Sequence, residues 1–132
     1  MAENFAPISD ELNAIAGRVV DAALEVHRKL GPGLLESVYE ACLCYELSTR
    51  GIQFQRQVNW PIQYGSVRIE VGMRLDLLVE DQLIVELKAV EKMIPLFEAQ
   101  MLTYLKLAEK RLGLLINFNV SMLKGGIKRL IR

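Results

Sequence analysis

Apolar positions follow two patterns along the chain. From Leu12 to Leu30 they recur at helical spacing: Leu12, Ile15, Ala16, Val19, Ala23, Val26 and Leu30 form one stripe, with Ser9 or Asp10 placed to cap it. Gly31-Pro32-Gly33 ends this helix, and a second is predicted from about Leu34 to Arg50, closed by Gly51. Period-two alternation then takes over. Gln57–Tyr64 alternates Val58, Trp60 and Ile62, and Val67–Met73 alternates Val67, Ile69 and Val71, with Gly65-Ser66 as the turn. Pro61 suits an edge strand, since it has no N–H to give to a ladder. Strands at 74–79 and 83–88 follow, with Gly72 as a candidate bulge. A helix over 96–110 places Phe97, Met101, Tyr104, Leu105 and Ala108 on its inner side. Leu112–Asn117 is continuously apolar and follows a crossover helix, so it is expected to run parallel to strand 83–88. Ile127–Ile131 alternates weakly as a last strand. No repeat, linker or low-complexity segment interrupts these elements.

The stretch Arg74–Lys88, RLDLLVEDQLIVELK, adds chemistry to the pattern. Leu75, Leu77 and Val79 alternate with Arg74, Asp76 and Leu78, and Leu83, Val85 and Leu87 with Ile84, Glu86 and Lys88. If Glu80-Asp81-Gln82 is the loop of a hairpin, Val79 pairs with Leu83, and counting back sets Asp76 directly opposite Glu86. Lys88 then shares their face, opposite Arg74. A two-residue loop would instead send Asp76 to the other face. Two facing carboxylates repel unless a cation lies between them, and a hard dication with oxygen ligands suits that place. The rival reading is a surface ladder of opposite charges. Against it, leucine, isoleucine and valine occupy both faces of 75–87, as in strands covered on both sides, where charges need partners or metal.

Composition narrows the picture. A chain of 132 residues with 52% hydrophobic content is expected to form one domain with a real core: a helical pair at 9–50, then a sheet with its crossover helix at 54–132. No apolar run is long enough to cross a bilayer, and MAENFAPISDELN lacks the basic start of a secretory signal. Cys42 and Cys44 sit two apart on a helix and point in different directions, so neither a disulfide nor a zinc pair is expected. Reduced thiols fit a cytoplasmic protein. The net charge is zero, which does not by itself argue for nucleic acid. Basic clusters at Lys106, Lys110 and Arg111, and at Lys124, Lys128, Arg129 and Arg132, leave room for a basic groove.

Further candidates lie outside the hairpin. Glu36, Tyr39 and Glu40 share a face at the start of the second helix, as Gln100 and Tyr104 do on the later one. Asp76, then Glu86-Leu87-Lys88, then Gln100–Tyr104 (QMLTY) resembles the PD-(D/E)XK nuclease superfamily. The opening LGPGLLESVY, with IVELKAV, EAQMLTYLK and LGLLINF downstream, looks like the GxxExxY family within it. The resemblance runs from about His27 to Arg132. It departs from the superfamily pattern at Leu75, where a proline usually precedes the acid.

The resemblance implies a three-layer α/β/α core, restriction-endonuclease-like, with a mixed central sheet of four or more strands flanked by helices. It implies metal-dependent hydrolysis of phosphodiester bonds in nucleic acid, with DNA as the expected substrate. Asp76, Glu86 and the Leu87 carbonyl would bind Mg2+ or Mn2+, and Glu36 would complete the metal site. Lys88 would orient or activate the attacking water, Gln100 would position Lys88 or a ligand, and Tyr104 would touch substrate or support the site. Each has a plainer reading. Glu36 could be a first-turn acid that favours the helix N-terminus. Tyr39 and Tyr104 could be core residues, and Gln100 a solvated one. His27, the chain's single histidine, reads as a satisfied helix residue ahead of a catalytic one. Gly33 reads as a backbone requirement for positive φ or close approach. The alternative function is a catalytically silent module with this fold that binds nucleic acid or a partner protein. Dimerisation through the apolar edge strand around Trp60 would build a larger groove.

Overall fold

The computed structural model describes residues 6–132. Residues 1–5, part of the stretch behind the expectation of no secretory leader, lie outside the described residues.

Helix α1 (Asp10–Leu30) begins where Ser9 Oγ accepts the Leu12 N–H at 3.1 Å. Asp10 and Glu11 sit at its positive end, and His27, Arg28 and Lys29 at its negative end. Its buried stripe is the expected one with two changes: Ala22 and His27 join it, and Leu30 is solvent-exposed because the chain turns away at Gly31. The connection to α2 (Glu36–Thr49) passes through Gly33 at φ 99, a backbone conformation that glycine alone adopts without strain.

Strand β1 (Phe54–Tyr64) pairs antiparallel with β2 (Val67–Val79), β2 with β3 (Leu83–Lys88), and β3 lies parallel to β4 (Leu112–Asn117) through helix α3 (Pro95–Ala108). A short 3-10 turn (Leu123–Gly126) leads into β5 (Ile127–Ile131), antiparallel to β4. The sheet order is β1-β2-β3-β4-β5, so β1 is an edge strand, as Pro61 requires. This is a mixed five-stranded sheet between helices. The parallel β3–β4 pair is almost wholly buried and apolar, as expected for strands covered on both faces.

The two runs at 67–73 and 74–79 are one strand. The bulge lies within it, where the register shifts between Trp60 and Ile62 and the Ile62 side chain fills the space that a Cβ at Gly72 would need. β1 also starts earlier than the alternation implied.

Two clusters fill the layers. Leu77, Val79, Leu83, Val85 and Leu87 pack with α1 and α2, whereas Met73, Leu75, Leu78 and Ile84 pack with Met101, Leu105 and Ala108 of α3. Leu75 therefore faces away from Leu77 and Val79, contrary to simple alternation. The strand slips by one position at Asp76. Its neighbour across the ladder, Gln57, lies between the Arg56–Leu77 and Val58–Leu75 pairs and has φ 52. β1 slips at the same level: Phe54 packs on the α1/α2 side, Val58 and Trp60 on the α3 side.

Candidate active site

The β2–β3 loop brings the acids together. Val79 pairs with Leu83, as a three-residue loop demands. The regular ladder ends at Leu77–Val85, and one step further the two carboxylates replace it. Asp76 N–H donates to Glu86 Oε1 at 3.0 Å, and Leu87 N–H donates to Asp76 Oδ2 at 2.9 Å. One oxygen of each carboxylate is thereby engaged by backbone.

Burial, then the nearby Asp76 carboxylate, pushes Glu86 up from the ordinary value to about 8. Lys88, two residues on from Glu86 in β3, pulls in the opposite sense. Lys88 does not face Arg74, however. It pairs with Asn117 of β4, its Nζ sits 4.4 Å from the centre of the Phe97 ring, and Arg74 donates to Asn59 Oδ1 at 3.2 Å instead. The ladder that would have aligned Lys88 with Arg74 stops at the acids.

Glu36 opens α2 on the solvent side. Partial burial raises its pKa first, then Asp76, while Lys88 lowers it, so it shares the field of the pair. Among the described residues, no three histidine, cysteine, aspartate or glutamate side chains are gathered into a metal-holding group. Tyr104 is half-buried on α3, and burial, then Glu86 and Asp76, raises its phenol. Gln100 lies one turn before it, half-buried.

Tyr39 and His27 stand apart from the acids. Tyr39 is fully buried, stacks on Phe118 with ring centres 4.6 Å apart, donates to Gly31 O at 2.6 Å and accepts from Leu34 N–H at 3.1 Å. It clamps the α1–α2 connection and so sets where Glu36 begins its helix. His27 Nε2 lies 2.8 Å from Val120 O and ties α1 to the segment after β4. Trp60, the proposed centre of a dimer edge, is half-buried against the α3-side cluster with Lys110 over its ring at 5.9 Å. The exposed apolar residues lie further out along the hairpin, at Tyr64, Val67, Ile69 and Val71.

A family model described as the PD-(D/E)XK nuclease superfamily matches residues 13–130. The chain belongs to the PD-(D/E)XK nuclease superfamily. No curated protein and no solved structure matches. Membership suggests nuclease activity and nucleic acid as the class of partner, and divalent metals are the usual cofactors in this superfamily. No helix among the described residues is long and apolar enough to cross a membrane.

Several residues around the PD-(D/E)XK acids have partners that the sequence pattern did not give. Buried Asn117 accepts Val90 N–H at 3.1 Å and Asn119 N–H at 3.1 Å and donates to Val90 O at 3.0 Å, while Phe118 N–H donates to Lys88 O at 2.9 Å. These bonds fix the chain at Lys88 and just after it. An asparagine closing the apolar run LGLLIN was the available signal. Buried Glu40 accepts from Arg56 Nη2 at 2.9 Å and Gln57 Nε2 at 2.6 Å. Its place among Tyr39, Leu43 and Leu47 marked it as a charge on an apolar stripe, which needs partners. Phe97 carried no signal beyond its helical face.

Proposed function

We propose that the chain is a nuclease that uses Mg2+ or Mn2+ to hydrolyse phosphodiester bonds in DNA, and that it belongs to the GxxExxY branch of its superfamily. The observation that carries the reading is the facing Asp76–Glu86 pair with Lys88 beside it. Two carboxylates held this close, one with its pKa raised, have an unmet need for positive charge. A hard dication preferring oxygen ligands suits their two remaining oxygens, with the Leu87 carbonyl as a further donor. Such a cation lowers the pKa of a water from about 15.7 towards 7 and stabilises charge on a phosphate.

The other roles belong to the chain itself. Lys88, held over Phe97, places a positive charge where negative charge grows on the phosphate and orients the attacking water. Tyr104 keeps its proton, because burial and the two acids raise its phenol, and so it can donate to an anionic oxygen. Glu36 on α2 feels the charges of Asp76 and Lys88 and can hold a ligand or a water, and the resemblance gives Gln100, one turn before Tyr104 on α3, a similar part. Gly33, Glu36 and Tyr39 form the GxxExxY signature, and their geometry supports that branch: Gly33 turns the chain, Tyr39 anchors the turn, and Glu36 is delivered to the site's edge. Free Cys42 and Cys44 accord with a reducing, cytoplasmic setting. A net charge of zero predicts weak non-specific affinity that falls further with salt.

The test is cleavage of labelled linear, single-stranded and branched DNA, and of RNA, with Mg2+ or Mn2+. Asp76→Ala and Lys88→Ala proteins run beside the native chain. Cutting of DNA that both substitutions abolish supports the reading. No cutting by folded native protein overturns it in favour of a silent binding module.

A further inference from the structure

We infer that Glu40 is a positioning residue for Asp76, acting through the left-handed backbone of Gln57. Three observations meet here. Gln57 holds φ 52 in the middle of a strand, a conformation that L-residues avoid and that persists only when the surroundings enforce it. The side chain of this residue is the one that donates to buried Glu40 at 2.6 Å, beside the Arg56–Glu40 ion pair at 2.9 Å. Gln57 is also the residue across the ladder from Asp76, and both strands change faces at this level.

The physical chain is short. Glu40 is carried by α2 with Tyr39, Leu43 and Leu47, which are fully buried, so its carboxylate is a fixed point. Bonding Gln57 to it draws β1 toward α2 and holds the turned backbone. β2 follows through the ladder pairs on either side, Arg56–Leu77 and Val58–Leu75, and slips at Asp76. The slip is what lets Leu75 and Leu77 pack on opposite sides while Asp76 faces Glu86 and accepts the Leu87 N–H. Without it, a regular strand would move every residue on one side of Asp76 to the other face. Glu40 thus does for Asp76 what the tight loop does for Glu86. The structural half of this inference stands on its own. Its consequence for cation binding rests on the nuclease reading above.

The direct readout needs no metal. It is hydrogen exchange of the Leu87 amide, which Asp76 protects, against the Val85 amide of the regular ladder as internal reference. Glu40→Ala is expected to speed Leu87 exchange by about tenfold or more relative to Val85. The same substitution in a Gln57→Gly background is expected to do much less, because glycine holds positive φ without help. Arg56 is partly solvent-exposed, so water can take over its lost partner. Should Glu40→Ala fail to fold, Gln57→Gly and Gln57→Val decide the matter. Both remove the bond to Glu40 and only valine resists positive φ, so Leu87 protection is expected to survive in the first and fall in the second. Unchanged Leu87 protection in folded Glu40→Ala, or in folded Gln57→Val, overturns the inference. Mn2+ affinity, measured on the same proteins, follows Leu87 protection if the nuclease reading holds. Protection that changes as expected in a native chain that binds no Mn2+ would sink only the nuclease reading.

Discussion

Asp76 and Glu86 close the β2–β3 ladder with their side chains: the Asp76 N–H donates to Glu86 at 3.0 Å, and the Leu87 N–H next to Glu86 donates to Asp76 at 2.9 Å. Each acid satisfies a backbone donor that the parting strands leave free, which is a structural reason for both to be there. Neither bond removes their repulsion, which adds to burial, the larger cause, in raising the pKa of Glu86. The arrangement is stable enough to preform and still short of positive charge, which suits a site that waits for a cation.

The pH dependence of metal-free stability follows. The folded state holds a proton on Glu86 up to about 8, whereas an unfolded glutamate releases it near about 4.3. Between those values the native state binds more protons than the unfolded one, so stability is fullest below the lower value and falls as pH rises. Thermal melts without divalent ions should show Tm dropping from pH 5 to pH 8. Glu86→Gln should flatten this fall, and saturating Mg2+ or Mn2+ should offset it by binding the folded state.

Tyr39→Phe keeps the ring stacked on Phe118 but removes the bonds to Gly31 and Leu34. Two lost bonds should cost about 1–3 kcal/mol. Urea melts should show a lower midpoint at unchanged slope, and cleavage per folded molecule should fall only as far as Glu36 is displaced. An unchanged midpoint would remove Tyr39 from its role as the clamp of this connection.

These expectations depend on how local each feature is. The helix boundaries, the three-residue loop at 80–82 and the parallel β4 were legible because each is set by neighbours in sequence. So was the meeting of Asp76 with Glu86, which follows from the loop length. The face of Leu75 was not legible, since the slip beside it involves Gln57 and Glu40, distant in the chain. Lys88 was aligned with Arg74 only by extending a ladder that ends earlier. Its contact with Phe97 depends on where α3 lies, which no alternation of apolar residues reports. His27 was read as a satisfied helix residue, and the oxygen beside it, from Val120, comes from the other end of the chain.

Phe97→Leu tests how Lys88 is held. The substitution keeps apolar bulk but removes the ring face beneath the ammonium, an interaction of about 0.5–2 kcal/mol. Stability should change by no more than that, while cleavage should drop and its dependence on pH should shift as Lys88 loses its support. Lys88→Ala should reduce cleavage by about 100-fold or more, on the scale of a lost electrostatic stabiliser. Equal rates for native and Phe97→Leu across the pH range would show that the ring does not position Lys88.

Asp76 and Glu86 together are expected to hold one divalent cation. Calorimetric titration of Mn2+ into the native chain, and into Asp76→Asn and Glu86→Gln proteins confirmed to be folded, tests it most directly. One site is expected in the native chain, and its loss in both variants. Native-like Mn2+ binding in either variant, or none in the native chain, would contradict it.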